Sequence, residues 1–338
     1  MILEKKISEN DEIFIKLKMK DLKLSKYFIT NYLNNYELLD LIENKEYIKV
    51  IKAKIKDTNE FRAIKIIDIT EDKKLLQKNE NKNHKDINEN SENFINEFSN
   101  EIIKTKIFSE DNHFIKIYDH FTTKDENKII IIMELYDTNL LNLTKSKTLN
   151  KQEIYEIIYQ LNFCFKKMEK NKIILGNINL ENILIKYEND ERTKFSIKLS
   201  YFEKSKKFIS FLLKKNLNEN LVKTLAPEVL KNNKKIDKCD LWSLGIIIYY
   251  LLFNEYPFDE IKKSKILNQI NFSNKDLKLS DDKNLNDLIN GLLQKSPKDR
   301  LDWNNYFKHP FNEKVLINYL NQKNLDLKNE LKFSSIYE

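Results

Sequence analysis

Glycine is scarce in this chain: Gly176, Gly245 and Gly291 are the only three among 338 residues. A loop that wraps a phosphate in backbone N–H groups needs several closely spaced glycines, because Cβ atoms obstruct the approach of the backbone. The sequence therefore excludes a glycine-rich phosphate loop. Cysteine is also rare, and Cys164 and Cys239 both lie in apolar, helix-like segments. This excludes a disulfide framework and predicts buried free thiols in a reducing compartment.

Other features that are missing exclude further classes of protein. No apolar run reaches membrane-spanning length, and the first residues show neither an apolar signal core nor a Gly at position 2 for acylation. The 59 Lys and Arg residues exceed the 52 Asp and Glu residues by only +7, and the lysines are scattered among acids. This pattern is typical of a solvated mixed surface, not of a nucleic-acid interface. We expect a soluble cytoplasmic protein, with the nucleus as the alternative address.

What the chain does contain is apolar periodicity. Residues 240–253 begin with one acid, and the last ten of them carry no charge, so a helix there must be buried on every face. Residues 152–170 predict an amphipathic helix, and residues 36–55 and 61–67 predict three consecutive strands. The Asn-, Lys- and Glu-rich stretch 71–93 predicts a disordered insertion.

The buried helix carries a family resemblance. With Ala226-Pro227-Glu228 before it and Pro257-Phe258 after it, the segment resembles the central large-lobe helix of eukaryotic protein kinases. Asp237-Lys-Cys-Asp-Leu-Trp-Ser-Leu-Gly is most similar to calcium-dependent and calmodulin-dependent kinases. The resemblance implies an α+β bilobal fold over 36–311, with a β-rich N-lobe (36–135, one long helix) and a helical C-lobe (136–311). It also implies two further N-lobe strands at 114–118 and 129–133. Residues 1–35 are then an N-terminal extension and 312–338 a C-terminal tail.

The same resemblance places a nucleotide site with altered residues. Glu43, Lys45 and Ile48 occupy the positions of the phosphate-loop glycines. The third-strand lysine is Lys65, and its ion-pair partner on the long helix is Glu101. The remaining residues that the resemblance assigns to the nucleotide pocket are Ile42, Val50, Ala63, Glu134, Tyr136 and Leu184, with Met133 as gatekeeper.

The catalytic positions are altered more severely. His-Arg-Asp is replaced by Leu175, Gly176 and Asn177, followed by the expected Asn182, and Asp-Phe-Gly is replaced by Tyr201-Phe202-Glu203. An amide cannot accept a proton as the aspartate does, and a neutral phenol is a poor magnesium ligand. The resemblance therefore implies no metal site. It also implies a buried ion pair between Arg300, one of three arginines in the chain, and Glu228.

These substitutions predict a pseudokinase that acts as a protein-binding scaffold or allosteric regulator in phosphorylation signalling. The expected partner is a protein, either a kinase or a kinase substrate. The altered residues assign no certain cofactor. At most, we expect the chain to bind ATP weakly and without magnesium. Residues for an EF-hand calcium loop are absent from the sequence. Two alternatives stay open: an unconventional active serine/threonine kinase that recruits Lys45 or Lys49 to phosphate and Glu181 or Glu203 to metal, and a structural domain with a collapsed cleft.

Overall fold

The computed structural model describes residues 33–45, 48–68, 111–123, 128–200, 219–232, 236–260, 263–272 and 277–322. They belong to two compact units. The described residues of the first unit are 33–45, 48–68, 117–123 and 128–135. The described residues of the second unit are 111–116 and those from 136 to 322.

The first unit is a five-stranded antiparallel sheet in the order β1-β2-β3-β5-β4. Its strands are β1 (Tyr36–Asn44), β2 (Ile48–Ile55), β3 (Phe61–Asp68), β4 (Ile117–Thr123) and β5 (Lys128–Met133). The three consecutive strands predicted after residue 36 are confirmed.

The range implied for the fourth strand, 114–118, agrees with β4 only at Ile117 and Tyr118. Phe114 forms a parallel bridge with Leu199 of the second unit, and β4 begins only at Ile117. All three of Phe114, Ile115 and Ile117 are buried. A short apolar run gives the same signal whichever unit buries it, so periodicity could not locate the change from one unit to the other.

Burial on both faces explains why the central strands are almost continuously apolar. On β3, every residue from 63 to 67 is buried, and so is every residue of β5 from 129 to 133. One face of the sheet carries a cluster of buried residues, namely Leu33, Ile51, Ala53, Ile64, Ile66, Ile130 and Ile132. Alternation is lost when both faces of a strand are covered.

The second unit is mainly helical. Its helices are α1 (Leu140–Ser146), α2 (Lys151–Lys170), α3 (Glu219–Thr224), α4 (Pro227–Asn232), α5 (Cys239–Phe253), α6 (Lys263–Phe272), α7 (Lys283–Leu292), α8 (Trp303–Phe307) and α9 (Pro310–Gln322). A small antiparallel sheet joins β6 (Thr138–Asn139), β7 (Ile183–Tyr187) and β8 (Phe195–Leu199) in that order. A single 3₁₀ turn, Leu180–Asn182, precedes β7.

Helix α5 lies in the interior, as predicted. Every residue from Cys239 to Leu251 is buried, and Asn254, at φ 53°, ends the helix in the left-handed conformation. A close approach requires the glycine within α5, because a Cβ on Gly245 would lie 2.8 Å from the Cβ of Leu292 on α7. The helix therefore packs α7 directly against its backbone.

Helix α2 begins with a capping box, in which Asn150 and Glu153 each accept a hydrogen bond from the other's backbone N–H. The thiol of Cys164 is buried on this helix, and burial raises its pKa to about 12. Cys239 is also free and buried. The prediction of two buried free thiols is confirmed.

A buried amide network joins α2 to the C-terminal helices. The Asn162 amide donates to the Asn312 side chain at 3.2 Å and accepts from the Tyr306 hydroxyl at 2.6 Å. The Asn312 amide donates to the backbone carbonyl of Tyr306 at 2.5 Å. Tyr319 of α9 stacks on Tyr159 of α2 with ring centroids 3.7 Å apart. Helix α9 is therefore packed into the second unit. The predicted boundary between the kinase-like domain and the C-terminal tail, between residues 311 and 312, falls within this helix.

The segment before β4 is anchored on α2 by His113. Its ring stacks on Phe163 at 4.9 Å and its Nδ1 lies 2.7 Å from Asp111, whose second oxygen pairs with Lys167 at 3.2 Å. The carbonyl of His113 accepts a hydrogen bond from the backbone N–H of Leu199 at 3.0 Å. Side chain and backbone together hold this segment against α2 and β8.

Replacing Asp111 by Asn is expected to remove an acid-sensitive contribution to stability. Partial burial opposes ionisation of Asp111, but hydrogen bonds from His113 and Lys167 outweigh it, so its pKa is lowered. A lowered folded-state pKa stabilises the fold above the unfolded-state pKa, about 4, and that stabilisation disappears as the pH falls through the folded-state value. We expect Asp111→Asn to cost about 1–2 kcal/mol at pH 7, and the difference to shrink in urea unfolding below pH 4. Exposed Asp281 supplies the matched control, Asp281→Asn, and a pH-independent difference for Asp111→Asn would contradict the assignment.

Candidate functional site

The first unit brings several predicted nucleotide-site residues onto one face of the sheet. Val50 on β2 lies directly opposite Lys65 on β3, and Ala63 on β3 lies opposite Met133 on β5. Directly opposed residues of antiparallel strands project from the same face. Lys65 is only 7% exposed. The kinase resemblance predicts these four residues in one pocket, and the strand register places them on one face of the sheet.

The turn at the phosphate-loop positions is held by side chains. The Nζ atom of Lys45 pairs with Glu43 at 2.6 Å, and Lys49 donates to the Asn44 side chain at 3.0 Å. The backbone N–H of Lys45 donates to the carbonyl of Ile48 at 2.8 Å. Both lysine side chains and the backbone N–H of Lys45 therefore have partners on β1 or β2. Nearby, Ile42 lies beside an irregularity in the β1–β2 register and is half-exposed.

In the second unit, Asp240 holds the segment that replaces His-Arg-Asp. One carboxylate oxygen accepts a hydrogen bond from the backbone N–H of Leu175 at 2.7 Å, and the other accepts from Gly176 at 2.6 Å. Asp240 is 1% exposed. Gly176 has φ 70°, a left-handed conformation that favours glycine. The buried carboxylate thus fixes the backbone that leads into Asn177.

Three asparagines organise the rest of this loop. The side-chain amides of Asn179 and Asn182 both donate to the backbone carbonyl of Asn177, at 3.0 and 3.3 Å. The Asn179 oxygen caps the 3₁₀ turn by accepting from the N–H groups of Glu181 and Asn182. Asn177 is 4% exposed. These amide contacts give the loop a defined shape. At the position where an active kinase has its catalytic carboxylate, the loop carries the buried and neutral side chain of Asn177.

Two further predicted pocket residues lie near one lysine. Leu184 on β7 is directly opposite Lys198 on β8, and the Lys198 ammonium lies 5.6 Å from the ring centroid of buried Tyr136. A cation over an aromatic face is a favourable contact. Glu134 is partly buried and lies after the end of β5.

The ion pair predicted between Arg300 and Glu228 is confirmed. It is bidentate, with N–O distances of 2.8 and 3.0 Å. The Arg300 guanidinium also donates to the carbonyls of Lys238 at 2.7 Å and Gln294 at 3.1 Å, and it lies 5.2 Å from the Trp242 ring. The Arg300 side chain is fully buried and that of Glu228 is 12% exposed. These contacts join α4, α5 and the segment after α7.

Several predicted positions lie outside the described residues: Glu101, Tyr201, Phe202, Glu203, the insertion 71–93 and nearly all of the N-terminal extension. Among the residues that are described, no group of three or more His, Cys, Asp and Glu side chains could hold a metal ion. Within the same part of the chain, no helix is long and apolar enough to cross a membrane.

A family model for the protein kinase domain matches residues 36–312. The chain belongs to the protein kinase family. Calcium-dependent protein kinase 5 of Plasmodium falciparum is 29% identical over 322 residues, which cover 88% of this chain and 51% of that protein. An Aurora kinase of Schizosaccharomyces pombe is 28% identical over 206 residues, or 59% of this chain and 54% of the relative. An Aurora kinase of Debaryomyces hansenii is 31% identical over 192 residues, or 55% and 45%. The chain thus spans about half the length of these curated relatives.

Family membership confirms the predicted fold class, since the sheet of the first unit and the helices of the second match the β-rich and helical lobes of a kinase domain. We call residues 175–182 the catalytic loop. Reasoning from sequence missed Asn179 and the hydrogen bonds from the backbone of this loop to Asp240. Asn179 stands in a run of amides in an Asn-rich chain, so its identity carried little signal. The contacts of Asp240 span more than 60 residues and are invisible to local patterns.

Proposed function

We propose that this kinase domain is a pseudokinase that works as a protein-binding scaffold or allosteric regulator in phosphorylation signalling, in the cytoplasm or the nucleus. The observation that carries the proposal is Asn177. In an active kinase this position supplies a carboxylate that accepts the proton of the substrate hydroxyl. Here it supplies an amide of negligible basicity, buried in a loop that asparagine side chains hold together.

The contacts of the alternative residues favour this function over an unconventional active kinase. That kinase would need Lys45 or Lys49 to bind phosphate, yet both ammonium groups have partners in their own turn. It would need Glu181 or Glu203 to bind metal, and the Glu181 carboxylate accepts a hydrogen bond from Asn220 at 2.9 Å. A phosphate or metal at these groups would compete with contacts that already exist.

The scaffold part of the proposal rests on what the fold retains. The Arg300–Glu228 ion pair and the hydrogen bonds from the backbone of the catalytic loop to Asp240 hold these segments in a defined conformation. That conformation does not require catalytic side chains. The relatives named above are kinases, and kinases act on proteins, so a kinase or a kinase substrate is the partner class that we infer.

Affinity capture of the tagged chain from its own cells tests this partner class. The matched control is Arg300→Ala, whose second unit we expect to be destabilised, with capture carried out at a temperature where the variant is unfolded and the wild type is folded. Kinases or their substrates should be retained by the wild-type chain and lost with the control. A set of captured proteins that does not depend on the fold would overturn the scaffold proposal.

Nucleotide binding is expected to be weak and independent of magnesium. Val50, Ala63 and Lys65 share one sheet face, but Glu43 places a carboxylate at the phosphate-loop position and Tyr201 replaces the main metal ligand. A ligand at a hundred times its dissociation constant stabilises a fold by about 2.7 kcal/mol, so thermal-shift titration is sensitive enough. We expect little or no shift with millimolar ATP and no further shift with magnesium. A large shift that requires magnesium, and that Lys65→Met abolishes, would instead support an unconventional active kinase.

A further inference from the structure

Helix α3 lies where the sequence showed no helix, immediately before the Ala226-Pro227-Glu228 motif. Its two ends are held by different kinds of contact. At the C-terminal end, Leu221, Val222 and Thr224 are buried, and the Ser243 hydroxyl of α5 donates to the Thr224 carbonyl at 2.9 Å. This end is therefore packed into the core of the second unit.

The N-terminal end of α3 is held by polar contacts around Asn220. The Asn220 amide donates to the carboxylate of Glu181 in the catalytic loop at 2.9 Å. The Asn220 oxygen accepts from the Tyr256 hydroxyl at 3.4 Å. Asn220 and Glu181 are partly exposed, and Glu219 is exposed. A helix end held by a few partly exposed polar bonds opens more readily than one held by apolar packing.

The chemistry of the three groups fixes the direction of these bonds. A carboxylate can only accept, so the Asn220 nitrogen must face Glu181 and its oxygen must face Tyr256. Burial, with smaller effects from Tyr250 and Glu181, raises the pKa of the Tyr256 phenol, so the hydroxyl remains a neutral donor at physiological pH. Both ends of the Asn220 amide are thus used at once.

We propose that Asn220 is a clasp that holds the first turn of α3 against the catalytic loop, and that α3 is a bistable element of this domain. With the clasp closed, one oxygen of the Glu181 carboxylate accepts the Asn220 hydrogen bond. A partner whose donor takes that same oxygen displaces Asn220, and its binding is thereby coupled to opening of the first turn of α3. The clasp does not depend on whether the domain transfers phosphate.

An exchange of donor and acceptor between positions 181 and 220 tests the clasp. Asn220→Asp places two carboxylates at the 2.9 Å contact, which repel each other. Glu181→Gln alone keeps an oxygen that can accept from Asn220. The double variant Glu181→Gln/Asn220→Asp restores one amide and one carboxylate with the bond reversed, while Tyr256 still donates to position 220.

Hydrogen exchange of the backbone amides of Lys223 and Thr224 is the readout, because in an α-helix these N–H groups donate to the carbonyls of residues 219 and 220 in the first turn. The Leu225 N–H, which donates to the Leu221 carbonyl at the packed end, serves as the internal reference. We expect Asn220→Asp to speed exchange about 10- to 100-fold, Glu181→Gln to change it little, and the double variant to return it to near the wild-type rate. Exposed Asn290 on α7 provides the matched control, Asn290→Asp. Unchanged exchange in Asn220→Asp, or a double variant as fast as that single one, would overturn the clasp. If Asn220→Asp does not fold, Asn220→Ala removes both bonds without adding charge and must show the same acceleration.

Discussion

Arg300→Ala is expected to destabilise the second unit by about 3–5 kcal/mol, because it leaves the Glu228 carboxylate charged and unpaired in a largely buried site. The guanidinium also bonds the carbonyls of Lys238 and Gln294, which would lose a donor. For a unit of this size, such a change lowers the melting temperature by roughly 6–20 °C. Thermal and urea unfolding of the purified variant measure it.

Two companion variants separate the ion pair from general sensitivity of this segment. Exposed Lys298, two residues away, gives the control Lys298→Ala, which should melt within about 1–2 °C of wild type. Arg300→Met combined with Glu228→Leu removes both charges and should recover part of the loss. An Arg300→Ala protein that melts like wild type would show that the pair does not hold α4 to α5.

Phosphotransfer by the purified protein is expected to stay at background. The loss of the Asn177-position carboxylate removes a proton acceptor, and Tyr201 at the metal position removes a ligand that neutralises charge. Each contribution is commonly worth about 10²–10³-fold or more, so the rate should fall at least about 10⁴-fold below the 1–100 s⁻¹ of typical kinases. A radiolabelled phosphate assay with general protein substrates has the range to detect this.

A contaminating kinase is the main source of false activity in such an assay. Lys65→Met distinguishes it, since a contaminant transfers phosphate equally well in preparations of the variant and of the wild type. Asn177→Asp alone should also stay at background, because it restores neither the metal ligand nor the glycine loop. Activity that follows wild-type protein and disappears with Lys65→Met would show that the domain is an active kinase.

The parts of the fold that could be predicted from the sequence are those with a strong local pattern. The uncharged run in α5, the helical spacing in α2 and the strand pattern of residues 36–55 and 61–67 each gave the correct element. The start of β4 was misplaced because Phe114 and Ile117 are equally apolar but are buried in different units. Local pattern reports that a residue is buried, and it does not report against what.

At the candidate site, the residues that could be predicted were those with rare types or fixed spacing. Arg300 stood out because the chain has only two other arginines, and the kinase resemblance assigned it to the pair with Glu228. The same resemblance assigned Val50, Ala63 and Lys65 to one pocket, and the strand register places them on one face. The Asn220–Glu181 contact joins positions 39 apart through common residue types, and helix α3 is only six residues long. A short helix gains its stability from tertiary contacts, so its own sequence gives little indication of it.

Each of the three glycines lies where the backbone conformation or the packing of neighbouring side chains disfavours a larger residue. Gly176 adopts φ 70°, and a Cβ on Gly245 or Gly291 would lie within 3 Å of leucine side chains. Each glycine therefore stands where L side chains are strained or crowded. Adding even one methyl group at Gly245 would push α5 away from α7, so the close contact between these two helices sets an upper limit on side-chain size at that position.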